Sequence, residues 1–479
     1  MTKSQESEDE LLQTLAIWNT TLFDYLIKLS VGNIGGVQFE NGLVEKFPFI
    51  EFENELRNEI VSLAKEQYYL QRSEYNWRSN CVEFEDNFII DHESLNSAFT
   101  VLQERSKEAI QHYNQNQKEL SSSVLQALQV NQLIKSELEQ EVDEISYNDL
   151  SEDFFNSIND ILIGSVFGTW DIRMLKHWKQ EWSDEDIFKA RKHSPFLYGP
   201  RESTLDLVLQ EYHNEIKKIW DMPCPIEVLE EVASVSDINP VVDKLKDVIK
   251  YFWPESFGTI EEELLEHFKV NDLSDIFDKH NKFFDAHLKD YSRNKRVSPI
   301  YWHLGVPSGK FNVWVYYPKL NDGSLFKIVN ELVDPKIKEI AKEVEVLEMK
   351  GSGKELNDQK EFLAELEDFK EELLRVAQLP YKPNQDDGVL ITAAPLHNLF
   401  QHTKWKKSTQ ACWKKLEKGE YDWAHLAFSI WPDRVRKKCV KDLSMAIAHG
   451  LEKICEVKPK ETKKKKPKEI KADSQLKIN

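Results

Sequence analysis

The sequence predicts a mainly α protein with a small β component: a multi-helix scaffold with one buried β-hairpin and a protruding helical hairpin. Three observations predict it. Only 16 glycines and 17 prolines occur among 479 residues, ~7% against a usual ~12%, too few turn formers for a many-stranded architecture. Most of the chain carries apolar residues at the i, i+3, i+4 spacing of amphipathic helices. Only Ser298 to Tyr317 shows sustained period-2 alternation.

At the N-terminus, Leu11, Leu15, Trp18, Leu22, Tyr25, Leu26 and Leu29 lie at helical spacing, and Gly32, Gly35 and Gly36 end the run. Residues 51–150 form a long-helix segment. Its first stripe is Leu56, Ile60, Leu63 and Ala64 in a helix over 52–70, and its last helical stretch runs from Leu95 to Val142. Between them, "CVEFEDNFII" (Cys81 to Ile90) reads as a short strand.

A helical domain is expected over 151–333. "DFFNSINDILIGSVFGTWDIRM" (Asp153 to Met174) reads as an apolar helix closed by Gly168. Further helices are expected from Thr204 to Trp220, Ile226 to Val235, Val241 to Trp253, Ile260 to Phe268 and Leu273 to Tyr291. Pro223, Pro225, Pro240 and Pro254 punctuate them. The hairpin follows at about 298–317. Ile300, Trp302 and Leu304 alternate with Tyr301 and His303, Gly305 to Gly309 turns, and Phe311, Val313, Val315 and Tyr317 resume the pattern. Both faces are apolar, so the hairpin should be buried.

Residues 334–378 read as a charged helical hairpin broken at Gly351-Ser-Gly353. Ile337, Ile340, Val344 and Leu347 form one seam, and Phe362, Leu366, Phe369, Leu373 and Val376 the other. A basic, Trp-rich segment occupies 379–455. A Lys-rich tail over 456–479 lacks periodicity and is expected to be disordered.

The net charge is −20 and mean hydropathy −0.56, values of a soluble protein whose bulk charge does not favour nucleic acid. The N-terminus has no apolar leader, and no run reaches the ~20 apolar residues of a membrane span. Five scattered cysteines without CxxC spacing read as reduced thiols of a cytoplasmic protein, with no metal site in the pattern.

"SPIYW" (Ser298 to Trp302) shares Ser, Pro and Tyr with the Asn/Asp/Ser-Pro-Pro-Tyr loop that presents adenine for methylation, but Ile300 replaces the second proline. Such a loop must offer polar groups to a flipped-out base with the aromatic stacked on it. Here the residues continue straight into strand alternation, which favours packed scaffold with Pro299 at the strand entry. No strand–Gly-turn–helix donor site is visible. Glu348-Met-Lys350 mimics the E-x-K of nucleases but sits in a charged helix. His280 and His287 share a helix face without a third ligand.

The positive signals are local basic clusters in an acidic chain. "SRNKR" supplies Arg293, Lys295 and Arg296. "KWKKSTQACWKK" supplies Lys404, Lys406 and Lys407 beside two tryptophans. "WPDRVRKKCVK" supplies Arg434, Arg436, Lys437 and Lys438. Such clusters suit phosphate contacts on duplex DNA. The competing reading is a solvated helix face over a tryptophan core.

Four stretches resemble the C-terminal region of large adenine-specific DNA methyltransferases of bacterial phage defence, of the BREX type and related single-chain restriction–modification enzymes. They are "LIGSVFGTWDIR" (Leu162 to Arg173), "SPIYWHLGVPSGKFNVWVYYPKLNDGSLFKIVNELVDPKI" (Ser298 to Ile337), "LPYKPNQDDGVLITAAPLHNLF" (Leu379 to Phe400) and "YDWAHLAFSIWPDRVRKKCVKDLSMAIAHGLE" (Tyr421 to Glu452). By the same resemblance, residues 1–50 look like the end of a target-recognition domain. In that family the S-adenosylmethionine site and the catalytic loop lie in an N-terminal domain that this chain is expected to lack, so no catalytic or cofactor residue is carried over. The resemblance implies a bacterial DNA-engaging scaffold that is not catalytic alone, with duplex DNA and a catalytic methyltransferase subunit or other defence proteins as partners. The alternative is a helical interaction component of a defence complex that never touches DNA.

Overall fold

The computed structural model describes residues 5–31, 52–81, 84–140, 144–179, 194–197, 213–229, 232–235, 240–277, 282–293, 296–351 and 353–456. The fold is mainly α with a small antiparallel β component, and the chain divides into two compact units. The first comprises Met1–Tyr301 and Asn312–Tyr316, the second Trp302–Phe311 and Tyr317–Asn479.

In the first unit, α1 (Gln5–Trp18), α2 (Thr21–Val31), α3 (Asn54–Ser73), α4 (Leu95–Ala127) and α5 (Gln132–Gln140) share one apolar core. Leu12, Ala16, Ile60, Ala64, Leu120, Val124 and Leu138 meet there. The Ser94 side chain accepts from the Ser97 N–H and so starts α4 on a satisfied donor. The expected run through Val142 breaks after Ala127, and Gln129 takes a positive φ of 49° before α5 begins. Cys81 to Ile90 is not a strand in its described residues. Phe84 to Asn87 have no regular structure, the Glu85 and Asp86 N–H groups both donating to the Asn76 carbonyl, and a 3₁₀ turn starts at Phe88. Their apolar side chains, Phe84 and Ile89, enter a helical core instead of a sheet face.

Helix α6 (Ser151–Phe167) is buried on every side from Phe154 onward, with Asn156, Ser157, Asn159 and Asp160 buried among its apolar residues. Gly168 closes it in the left-handed conformation at φ 72°. Trp170 then folds back so tightly that a Cβ on Gly164 would lie 2.3 Å from its ring. Asp171 caps the short α7 (Ile172–His177). Its carboxylate also pairs with Arg173 at 2.6 Å, and Arg173 donates to the Trp220 and Met222 carbonyls at the end of α8 (His213–Trp220). Helices α9 (Pro240–Phe252), α10 (Phe257–Phe268) and α11 (Lys282–Asp290) follow. Thr204 to Tyr212 and His280 lie outside the described residues. Leu273 to Tyr291 is a 3₁₀ turn followed by α11, not one helix, as far as it is described.

The helix expected over Ile226 to Val235 is absent from its described residues. Val232–Val235 is instead strand β1, antiparallel to a later strand, with Val232 opposite Val315 and Val235 opposite Asn312. β-branched residues and a long-range partner outweigh a short helical spacing here. Strands β2 (Ser292–Arg293) and β3 (Arg296–Val297) form a two-residue ladder. The expected hairpin is β4 (Tyr301–Gly305) and β5 (Asn312–Tyr316), every residue of which is buried. The sheet order is β1-β5-β4.

In the second unit, the loop between β4 and β5 is closed by the Val306 N–H on the Phe311 carbonyl at 3.0 Å. Leu304 bridges to Phe400. Helix α12 (Ser324–Lys327) runs through a π-helical turn (Ile328–Val333) into α13 (Asp334–Lys350), which pairs with α14 (Gly353–Ala377). Ile340 and Val344 face Phe362, Leu366, Phe369, Leu373 and Val376 in a buried seam. Helices α15 (Val389–Ala393), α16 (Thr403–Glu417), α17 (His425–Ile430), α18 (Pro432–Cys439) and α19 (Leu443–Ala448) complete it. The tail from Val457 lies outside the described residues. Among the described residues, no helix is long and apolar enough to cross a membrane.

A candidate nucleic-acid face on the C-terminal helices

Helix α16 divides its residues cleanly. Trp405, Thr409, Cys412, Trp413 and Leu416 are buried at i, i+4, i+7, i+8 and i+11, the inner stripe of an amphipathic helix. Lys404, Lys406, Lys407, Lys414, Lys415 and Lys418 are exposed. Helix α18 repeats the division: Val435 and Cys439 are buried, while Arg436 and Lys437 are exposed. Between Thr403 and Lys441 there are eleven lysines and arginines against four acidic residues. This segment is therefore cationic inside a chain of net charge −20.

One acidic residue organises the segment. Asp422 is 1% exposed. Arg434 contacts its Oδ1 at 2.6 Å and Lys438 its Oδ2 at 2.7 Å. Arg434 also donates to the Leu416 and Glu417 carbonyls at 2.8 Å and so caps the C-terminus of α16 with a cation. Lys438 donates to the Gly419 carbonyl. Gly419 has φ 78°, and a Cβ there would lie 2.8 Å from both Asp422 and Lys438. Only glycine fits that corner. The Arg434 guanidinium also lies 4.2 Å from the Trp431 ring, which packs on Trp413 at 5.6 Å.

The ten basic residues singled out from the sequence thus separate. Arg434 and Lys438 are occupied in holding α16 to α18. Lys406 donates to the Asn398 carbonyl at 2.9 Å, and Arg436 lies 5.8 Å from the Phe428 ring centroid. The side chains of Lys404, Lys407 and Lys437 are exposed and make no hydrogen bond or ion pair among the described residues. Arg293 and Arg296 pair through their backbones in β2 and β3, while Lys295 lies outside the described residues.

A second buried carboxylate fixes the start of α17. Asp387 accepts from the His425 and Leu426 backbone N–H groups at 2.7 Å and from His425 Nδ1 at 3.1 Å. His449 donates Nε2–H to the Asp422 carbonyl at 2.7 Å. Composition and periodicity do not point to Asp387 or Asp422, because their partners lie 38 and 12 residues away or belong to the backbone.

The "SPIYW" stretch is packed scaffold. In the first unit, the Ile300 and Tyr301 N–H groups donate to His287 Nε2 at 2.9 and 3.3 Å. Tyr301 is fully buried and stacks on Tyr316 at 5.3 Å. Both hydroxyls meet the Thr169 Oγ1 at 2.8 Å. Burial lowers the His287 pKa to about 3, as its acceptor role requires. Nearby, burial raises the Asp160 pKa to about 6. Burial, with the charges of Asp160 and Asp153, raises that of Asp290 to about 7. The Tyr291 hydroxyl donates to Asp160 at 3.3 Å. In the second unit, Trp302 is fully buried and stacks on Tyr317 at 5.3 Å.

Glu348 of the E-x-K triplet is half-exposed and pairs with Lys360 at 2.6 Å. Among the described residues, no group of three or more His, Cys, Asp or Glu is placed to hold a metal ion. No protein-family model matches the chain, and no curated protein matches its sequence.

Proposed function

We propose that the chain is a DNA-engaging scaffold of a bacterial adenine-specific methylation system, acting with a catalytic subunit that binds S-adenosylmethionine. It grips duplex phosphates through the outer faces of α16 and α18. The observation that carries this reading is the set Lys404, Lys407 and Lys437: exposed cations with no partner among the described residues, on helices whose inner faces are committed to the core. Arg436 joins them on α18. The four-stretch resemblance to adenine-specific methyltransferases of phage defence suggests the reaction class, and we assign the chemistry to the partner.

Fluorescence anisotropy with a labelled duplex over a salt series tests the grip. Each phosphate neutralised contributes about 0.9 to the slope of log K against log salt. Reversing Lys404, Lys407, Arg436 and Lys437 to Glu together should lower the slope by roughly 3.6 and weaken binding uniformly across sequences. Unchanged affinity rejects the assignment. Radiolabelled-methyl transfer should be undetectable with the chain alone; robust transfer without a partner rejects the division of labour.

A second reading has its own observation. Leu11, Leu15 and Trp18 on α1 are 42%, 42% and 44% exposed at i, i+4 and i+7, an apolar stripe suited to another protein. On that reading the chain is a helical interaction component of a defence complex without DNA contact. Absence of salt-dependent DNA binding, with complex formation lost on Leu15→Glu, would favour it.

A further inference from the structure

We propose that His425 and His449 are the protein ligands of a divalent transition-metal site on the second unit. The argument begins with the nitrogens. A carboxylate and a carbonyl can only accept, so each imidazole partner must donate. His425 therefore carries its proton on Nδ1, where Asp387 Oδ1 accepts at 3.1 Å. His449 carries its proton on Nε2, where the Asp422 carbonyl accepts at 2.7 Å. In its neutral form each ring keeps a lone pair on its other nitrogen, Nε2 of His425 and Nδ1 of His449.

Neither lone pair is used among the described residues. His449 Nδ1 is buried and has no hydrogen-bond partner there, and no hydrogen bond reaches His425 Nε2. The two ring centroids are 5.8 Å apart and the planes cross at 74°. Two imidazoles on one ion, each nitrogen about 2.0–2.1 Å from it, span a distance of this order.

The contacts behind the rings match those that support metal-binding histidines. Such residues donate their second N–H to a carboxylate or a backbone carbonyl, which fixes tautomer and orientation. Here one ring has the carboxylate and the other the carbonyl. Both acceptors are held in turn: Asp387 by two backbone N–H groups, and the Asp422 residue by Arg434 and Lys438. The His425 side chain is 42% exposed, which leaves a solvent approach. Two nitrogen ligands with remaining positions left to water suit zinc, nickel or copper, not calcium or magnesium, which prefer oxygen. A bound ion would tie the start of α17 to the end of α19.

The test is isothermal titration of the full chain, stripped with chelator, with zinc and nickel chlorides, followed by thermal melts with and without metal. One ion should bind per chain and raise Tm. His425→Gln and His449→Gln should each weaken binding at least tenfold, and the double variant should abolish the Tm shift. Asp387→Asn should weaken binding about 10- to 100-fold through the loss of ring orientation. Copper-loaded protein should show nitrogen ligation by electron paramagnetic resonance, lost in the double variant. His177→Gln, on α7, should change none of these. Far-UV circular dichroism of each variant separates misfolding from ligand loss. No binding by the wild type, or binding and spectrum unchanged in a folded double variant, overturns the proposal.

Discussion

Asp160 in the first unit and Asp422 in the second are both buried, yet they are accommodated by opposite means. Asp422 has two cations at 2.6 and 2.7 Å, and the cations in turn hold the end of α16. Asp160 has no ion-pair partner among the described residues and takes a hydroxyl hydrogen bond from Tyr291. Burial then drives its pKa to about 6, so that below that pH a proton does what Arg434 and Lys438 do elsewhere. The first arrangement is a joint between helices. The second is a tolerated polar group in a helix packed on all sides.

The largest effects should come from breaking the joint. Asp422→Ala leaves Arg434 and Lys438 facing each other without an anion. Losing one partner of a buried ion pair costs about 3–5 kcal/mol, and the partial exposure of both cations places this case at the lower end. Urea denaturation measures it. Gly419→Ala should cost at least about 1 kcal/mol, from positive φ and a Cβ 2.8 Å from two charged atoms. If both variants lie within experimental error of wild type, the joint contributes little.

The Asp160 side of the comparison is read through pH. Its folded pKa is raised, so its stabilising contribution is present below about pH 4 and is lost as pH rises through about 6. The shift corresponds to an order of 3 kcal/mol. Asp290, partly exposed and raised to about 7, has the same sign and a smaller weight after solvent screening. His287 pulls the other way. Its depressed pKa gives stability present above about 6.5 and lost as pH falls toward 3. The wild-type curve alone therefore mixes signs, and the informative quantity is its difference from Asp160→Asn. That variant should gain stability over wild type from pH 6 upward and keep the Tyr291 contact. A difference flat between pH 4 and 8 would place Asp160 in a solvated setting.

These differences mark what was legible in the sequence. Alternation of β-branched and aromatic residues gave the buried hairpin with its boundaries, because period 2 is a local property. The seam of α13 and α14 was legible for the same reason at period 3.6. The inner and outer faces of α16 match the competing reading of the sequence, a solvated helix face over a tryptophan core. Strand β1 was missed because its reason for being a strand is β5, some eighty residues away. Of the basic residues, spacing gave their presence but not their commitments. Arg434 and Lys407 look alike in sequence, and only the fold brings Asp422 under one of them. His287, singled out as half of a histidine pair, acts instead as an acceptor for the backbone of "SPIYW".

The smallest effect extends the comparison to the surface. Glu348 and Lys360 join α13 to α14 at 2.6 Å, as close as Arg434 to Asp422, but both side chains are about half-exposed. Water already solvates the two charges, and ordering two long side chains offsets the attraction. Glu348→Gln should therefore cost no more than about 0.5 kcal/mol, and the cost should shrink further in high salt. Equal distance with unequal burial would then give a several-fold difference in stability between Asp422→Ala and Glu348→Gln. A loss above about 1 kcal/mol at Glu348 would mean that the hairpin seam depends on its charged edge, and the weight now assigned to Phe362, Leu366 and Phe369 would have to be shared.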